Sequence, residues 1–264
     1  MTALNTLVIY TRHLLGRFGR TGIWWIIGLA IYNGLLVMTY PSFRESGLLA
    51  IENFPKGLVE AFGIEDLTKI EPYLDARLFG TLPLVLAFFP VMVFANAIAG
   101  AEERGALDIL LGNPLPRRNV VLANWIAMAG VLIGVLLISA ALTWLSGVVV
   151  DVNLHAGETF RAMLNLFPIT MIFGSFALAL SAQIRQRGLV IGLSFAMVFL
   201  MYLLDIIGRI SATWENVHWL SAFRFYRSAM TEPVLWGDTG ILLAANLVLL
   251  GLAVVVFNRR DIYT

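Results

Sequence analysis

Five stretches of the chain, 22–40, 78–101, 119–150, 162–184 and 239–258, contain no Asp, Glu, Lys or Arg and are each long enough to cross a bilayer as a helix. A sixth, 188–204, has seventeen such residues. At 1.5 Å per residue they reach about 25 Å, so a span over 188–208 brings Asp205 out at the far interface. The 119–150 run has 32 residues, well beyond the roughly twenty a crossing needs, and must tilt, kink or continue past the bilayer. Ahead of the first run, Leu4, Leu7, Val8, Leu15 and Phe18 recur at helical spacing while Arg12 and Arg17 fall elsewhere on the wheel. That pattern predicts an amphipathic helix over 1–21 lying in the interface. Arg12, Arg17 and Arg20 flank the first run, but the run is a full span long with no small-residue cleavage pattern after it, so it reads as a retained helix rather than a signal peptide.

Six crossings put both ends on one side, and the basic residues say which. With the amino terminus inside, the inner segments hold ten Arg (positions 12, 17, 20, 104, 117, 118, 185, 187, 259 and 260) against four acids, a net +6, and the outer segments total −5. Basic residues concentrate on the cytoplasmic side of membrane proteins, which places both termini in the cytoplasm. Of the extracytoplasmic segments, 41–77 is acidic and carries a helix-like piece from Pro55 to Phe62, and 209–238 is rich in aromatics (Trp214, Trp219, Phe223, Phe225, Tyr226, Trp236). Such a composition suits a segment resting at headgroup depth or dipping into the bilayer.

Composition agrees with this pattern and removes several chemistries. Apolar residues make up 59% and charged residues 13%, with a mean hydropathy of +0.83, far from the mix of a soluble domain. A net charge of +1 would argue against a nucleic-acid partner were the charges evenly mixed; they are instead segregated along the chain, and the partner expected is not a nucleic acid. There is no cysteine, hence no disulfide framework or thiolate chemistry. His13, His155 and His218 are far apart, without ligand-pair spacing, so no metal site is expected. Ser194, in Gly192-Leu193-Ser194-Phe195, lacks the second glycine of a nucleophile elbow. The only lysines, Lys56 and Lys69, precede Gly57 and Ile70, which excludes a GxxxxGK[ST] phosphate loop on this chain. The runs hold neutral polar groups (Asn33, Asn96, Thr143, Asn165, Thr170, Ser175, Ser181, Gln183, Ser194, Asn246) instead of the ionisable midplane residues of ion-coupled carriers. Gly130/Gly134 and Gly188/Gly192 have the spacing of close helix contacts.

One polar segment is more than a loop. From Glu102, Glu103 and Arg104 through Leu107, Asp108, Leu110 and Leu111, the apolar residues share one helical face and acids lead; Gly112-Asn113 ends the turn, and Pro114 and Pro116 prevent its return. This is a short amphipathic helix at the cytoplasmic surface. It resembles the first cytoplasmic loop of ABC-2 type (ABCG-like) permeases of ATP-binding-cassette transporters, in which a Glu-Glu-Arg cluster precedes Gly-Thr-Leu, a Leu pair, a Pro and a basic turn. Glu102, Glu103, Arg104, Gly105, Leu107, Leu110, Leu111, Pro114, Arg117 and Arg118 match in order, with Ala106 where Thr is commoner. The stretch from Trp219 to Tyr226 is similar to the family's Leu-Ser-Pro-Phe-x-Tyr motif, with Ala222 in place of Pro, and 257–262 to its terminal Phe-x-Arg-Arg-Asp.

The resemblance implies an all-α polytopic membrane protein with six transmembrane helices, an N-terminal interfacial helix and a cytoplasmic coupling helix within 102–118. Two permeases, identical or paralogous, would pair over two copies of a separate ABC ATPase that binds ATP and Mg; this chain would carry no cofactor or catalytic residue. The coupling interface would comprise Glu102 to Gly105, Leu107, Asp108, Leu110, Leu111, Pro114, Arg117 and Arg118. Phe88, Phe89, Met92, Asn96, Phe195, Phe199 and Tyr202 would line a substrate path at the dimer seam, between the second and fifth spans of each copy, and Trp219, Phe223, Phe225 and Tyr226 an extracytoplasmic gate. The implied function is export of a hydrophobic or amphipathic molecule (drug, antibiotic or lipid) across a prokaryotic cytoplasmic membrane. The alternatives are an ion-coupled secondary transporter, a membrane-embedded enzyme, and a non-transporting assembly or sensor component coupled to an ATPase.

Overall fold

A computed structural model describes residues 3–46, 69–105, 116–210 and 218–260. The helix-like piece at Pro55 to Phe62, the coupling-helix residues Leu107, Asp108, Leu110, Leu111 and Pro114, and Trp214 lie outside the described residues. The described elements are α1 (Ala3–Glu45), α2 (Ile70–Leu74), a π-helical turn (Asp75–Phe79), α3 (Leu82–Ala97), α4 (Ala99–Glu103), α5 (Arg117–Val149), α6 (Ala156–Gln183), α7 (Arg187–Ile210), a 3₁₀ turn (Ala222–Phe225) and α8 (Trp236–Arg259). No strand occurs among the described residues, and six helical stretches are long and apolar enough to cross a membrane, the number given by the hydropathy pattern.

The amphipathic segment expected over 1–21 and the first span form one helix. No proline interrupts α1 before Pro41, and its 43 residues extend about 65 Å, twice the hydrocarbon thickness. The excess length of α5 has the same explanation. The two helices run parallel: Gly130 approaches Leu15, Val131 and Val135 approach Gly22, and the Asn33 amide donates to Thr143 Oγ1 at 2.9 Å. They therefore support each other beyond the uncharged part of α1.

The second crossing begins at Ile70, ahead of its uncharged run, and is not a regular helix. Its π turn places an extra residue in one turn. Pro83, four residues after Phe79, has no N–H to offer the Phe79 carbonyl. Tyr226 supplies the missing donor, its hydroxyl lying 3.3 Å from that oxygen, while the Arg77 carbonyl accepts from Tyr32 (3.2 Å) and Thr81 (3.0 Å) hydroxyls. At the other end the chain breaks at Ile98 (φ −120°, ψ −64°), and the freed Ala99 N–H donates to Ser181 Oγ at 2.9 Å.

The most enclosed crossing is α6, which packs on α3, α5, α7 and α8. Its contacts combine close approach and polar ties. A Cβ at Gly174 would stand 2.5 Å from Pro90 Cβ and 3.0 Å from the Phe94 ring, so only glycine lets α3 and α6 meet there. Ser175 accepts from Trp125 Nε1 (2.9 Å) and donates to Asn246 Oδ1 (2.8 Å), and the Asn246 amide reaches the Pro168 carbonyl (3.0 Å). One serine thus joins α5, α6 and α8. The small-residue spacings noted in the sequence mark no such seam within the chain: a Cβ at Gly134, Gly188 or Gly192 meets nothing within 4 Å.

Gly174→Ala should therefore lower the thermal midpoint of the detergent-solubilised chain, overpacking costing about 1–3 kcal/mol. Gly134→Ala, at an open position, should leave the midpoint unchanged or raise it.

Candidate functional site

At the end of the bundle read as cytoplasmic, the acids of the Glu102–Arg104 cluster are engaged by the chain itself. Glu102 Oε1 takes Arg185 Nε from the α6–α7 connection (3.2 Å), and Oε2 takes Arg260 Nη2 from the end of α8 (2.7 Å). The Arg260 guanidinium also donates to the Ala182 carbonyl, where α6 ends (3.2 Å). Glu103 Oε1 accepts the backbone N–H of Arg187 at 2.7 Å, which sets a carboxylate on the first turn of α7, the favoured sign at a helix N-terminus. Arg117 donates to the carbonyls of Phe257 and Arg260 and lies 6.0 Å from the Phe257 ring. One clasp thus joins α4, the α6–α7 connection, α7, α5 and α8.

Of the residues assigned to an ATPase interface, Glu103, Arg104, Gly105 and Arg118 are exposed; Gly105 follows α4 at φ +65°, where a side chain would be strained. Glu102 and Arg117 face inward, into the clasp. Sequence reasoning missed Arg185 and Arg260 as their partners. Both were counted in the inner basic excess, yet only the fold shows that the short α6–α7 connection and the end of α8 arrive beside Glu102.

The seven expected path residues divide. Phe88, Phe89, Met92 and Asn96 line a cavity of about 620 Å³ between α1 and α3, together with Arg17, Phe18 and Trp25. A second cavity of about 480 Å³ adjoins it towards Tyr32, the two sharing Thr21, Trp25 and Val85. The three on α7 lie elsewhere: Phe195 meets Phe88 with ring centroids 4.0 Å apart, Phe199 is 60% exposed, and Tyr202 packs edge-on against Phe223 at 5.5 Å.

At the opposite end, residues 218–235 fold onto the bundle. Phe223 is buried between Phe173 and Tyr202. Tyr226 is buried, and desolvation, reinforced by the Asp75 charge, holds its phenol well above the ordinary value. Trp219 stays exposed at the surface, edge-on to Phe225 at 6.2 Å and beneath the Arg224 guanidinium at 3.6 Å. Asp205, near the far end of α7, is 4% exposed and bonded to His218 Nε2 (2.7 Å) and Arg209 Nε (3.0 Å), with Arg224 3.3 Å from the far ring nitrogen of His218. The returning segment encloses it: a Cβ at Gly208 would stand 2.5 Å from His218 Cβ. Where the sequence suggested no metal cluster, the fold sets Glu71, His155 and Glu158 with one donor atom each within 4.8 Å of one another; His155 is 71% exposed, 3.8 and 3.9 Å from the two carboxylates.

The clasp predicts a measurable coupling. Glu102 and Arg260 side chains are 19% and 11% exposed, so a Glu102→Ala/Arg260→Ala double-mutant cycle read by thermal unfolding should give about 1–3 kcal/mol. The same cycle on Arg227 and Glu232, 3.6 Å apart and more than half exposed, should give only a few tenths of a kcal/mol.

No curated protein matches the chain. A family model described as ABC-2 family transporter protein matches residues 25–262, which takes in five of the six crossings whole, the first from Trp25 onward, the clasp and the returning 218–235 segment. A multi-pass helical chain without a phosphate loop, its polar connections drawn together at one end, is what the membrane component of such a transporter requires, the family's partner being an ABC ATPase subunit. The chain belongs to the ABC-2 family of transporter proteins, as a membrane-spanning permease component of an ABC transporter.

Proposed function

We propose that this chain is the permease of an ABC exporter that moves a hydrophobic or amphipathic substrate outward across a prokaryotic cytoplasmic membrane, with both termini in the cytoplasm. Two copies of a separate ATPase bind ATP and Mg beneath a pair of permeases, identical or paralogous, and push on the 102–118 loop. The observation that supports this reading is the clasp. A force on that loop reaches α7 through the Glu103 bond to the Arg187 N–H, and the ends of α6 and α8 through Glu102. Three crossings then share the load at their inner ends. Exposed Arg104 and Arg118 are left to meet the ATPase.

The test is the reconstituted complex with its ATPase. Glu103→Ala combined with Arg104→Ala should leave membrane insertion and basal ATP hydrolysis intact and reduce substrate-stimulated hydrolysis about fivefold or more. Unchanged stimulation would remove the coupling role. ATP-driven uptake into inside-out vesicles, insensitive to collapse of the proton or sodium gradient, is expected for an exporter. Uptake abolished by that collapse would instead indicate an ion-coupled carrier, and intact coupling without uptake a sensor or assembly component.

A further inference from the structure

We infer that the furrow between α1 and α3 is a binding site for one anionic phospholipid of the inner leaflet. The furrow exists because α1 leans on α5 rather than on α3, leaving two adjoining cavities of about 620 and 480 Å³ that share Thr21, Trp25 and Val85. From Arg17 to Tyr32 it follows α1 for about 22 Å, more than the acyl depth of one leaflet. Its floor suits a hydrocarbon chain: Trp25 and Phe89 stack with ring centroids 5.6 Å apart, and Gly28, where a Cβ would meet nothing within 4 Å, leaves the upper part open.

Its two ends differ. The Tyr32 hydroxyl is committed to the Arg77 carbonyl and Thr81, so the far end offers no charge. At the near end Arg17 is exposed and makes no hydrogen bond or ion pair with the described residues, while Asn96 holds Arg104 at 3.4 Å beside it. Among the described residues, no acid lines either cavity. A site with a cationic mouth and an apolar, aromatic bed is complementary to a molecule with one anionic end and a long chain. Basic recesses between membrane helices on the cytoplasmic side bind acidic headgroups for this reason. The mouth lies at the same end as the clasp; calling that end cytoplasmic rests on the orientation proposed above, whereas binding itself does not.

The experiment uses the purified full chain in neutral detergent, without ATP or ATPase, so its outcome is independent of whether the chain exports. Phosphatidylglycerol and phosphatidylcholine with identical chains are titrated and retention is read by native mass spectrometry. Wild type should retain one phosphatidylglycerol at least about fivefold more tightly than phosphatidylcholine, and Arg17→Gln should remove about that factor. Arg12→Gln, on the same helix but outside the furrow, should change nothing. Gly28→Phe, whose Cβ would meet nothing within 4 Å and whose ring is placed to occupy the furrow, should abolish retention of both lipids while thermal stability holds. Equal retention of the two lipids, an equal loss in Arg12→Gln, or wild-type retention in Gly28→Phe would each overturn the proposal. So would a change of subunit stoichiometry in Gly28→Phe with lipid retention intact, which would make the furrow a seat for a second copy of the chain.

Discussion

Inside hydrocarbon no water is available to a free carbonyl or N–H, so wherever one of these helices breaks, another part of the chain must supply the partner. This chain breaks its second crossing twice. At the outer break, Pro83 strands the Phe79 carbonyl and Tyr226 fills it from 147 positions away. At the inner break, the Ile98 kink frees the Ala99 N–H and Ser181 of α6 receives it. The first turn of α7 repeats the logic in charged form, with Glu103 on the Arg187 N–H. Irregular backbone is thus what fixes the long-range order of the helices, because each irregularity can be satisfied in only one arrangement.

The mechanical consequence concerns α7. It is among the least enclosed crossings, yet both of its ends are tied: the inner by Glu103, the outer by Asp205 to His218 and by Ser221 Oγ to the Met201 carbonyl at 2.7 Å. Its 24 residues extend about 36 Å without a proline. In the coupling we propose, a helix loose along its flank and fastened at both ends would carry a push on the clasp to the 218–235 segment, whereas α6 is held by its close contact at Gly174.

Much of this was legible in the sequence because hydrocarbon imposes its own length and composition: the six crossings follow from uncharged runs. What the pattern could not show is pairing. The extra length of 119–150 makes sense only once α1 is seen beside α5, and the amphipathic residues of 1–21 then belong to one continuous helix. Asp205 shows no partner in the pattern, and only the fold brings His218 and Arg209 to it. Of the path residues chosen on the second and fifth crossings, Phe88 and Phe195 do meet, while the flank of α3 that carries Phe89, Met92 and Asn96 opens toward α1 instead. Glycine spacing misled for a related reason: Gly174, outside both Gly-x-x-x-Gly pairs, is where α6 meets α3 closely through Pro90.

The polar residues of the crossings fall into two classes once their partners are known. Asn33, Ser175, Ser181 and Asn246 spend their hydrogen bonds on neighbouring helices or freed backbone groups and so belong to the architecture. Asn96 differs. Its amide donates back to the Met92 carbonyl at 2.7 Å, within its own helix, and its oxygen is directed at Arg104, leaving it beside a cavity instead of across a seam. Since lipid tails are as apolar as leucine, an exposed apolar face in this protein identifies no ligand by itself. A recess does, when one of its ends carries charge that no carboxylate among the described residues neutralises, and between α1 and α3 that condition is met in the cavity that Arg17 and Asn96 both line.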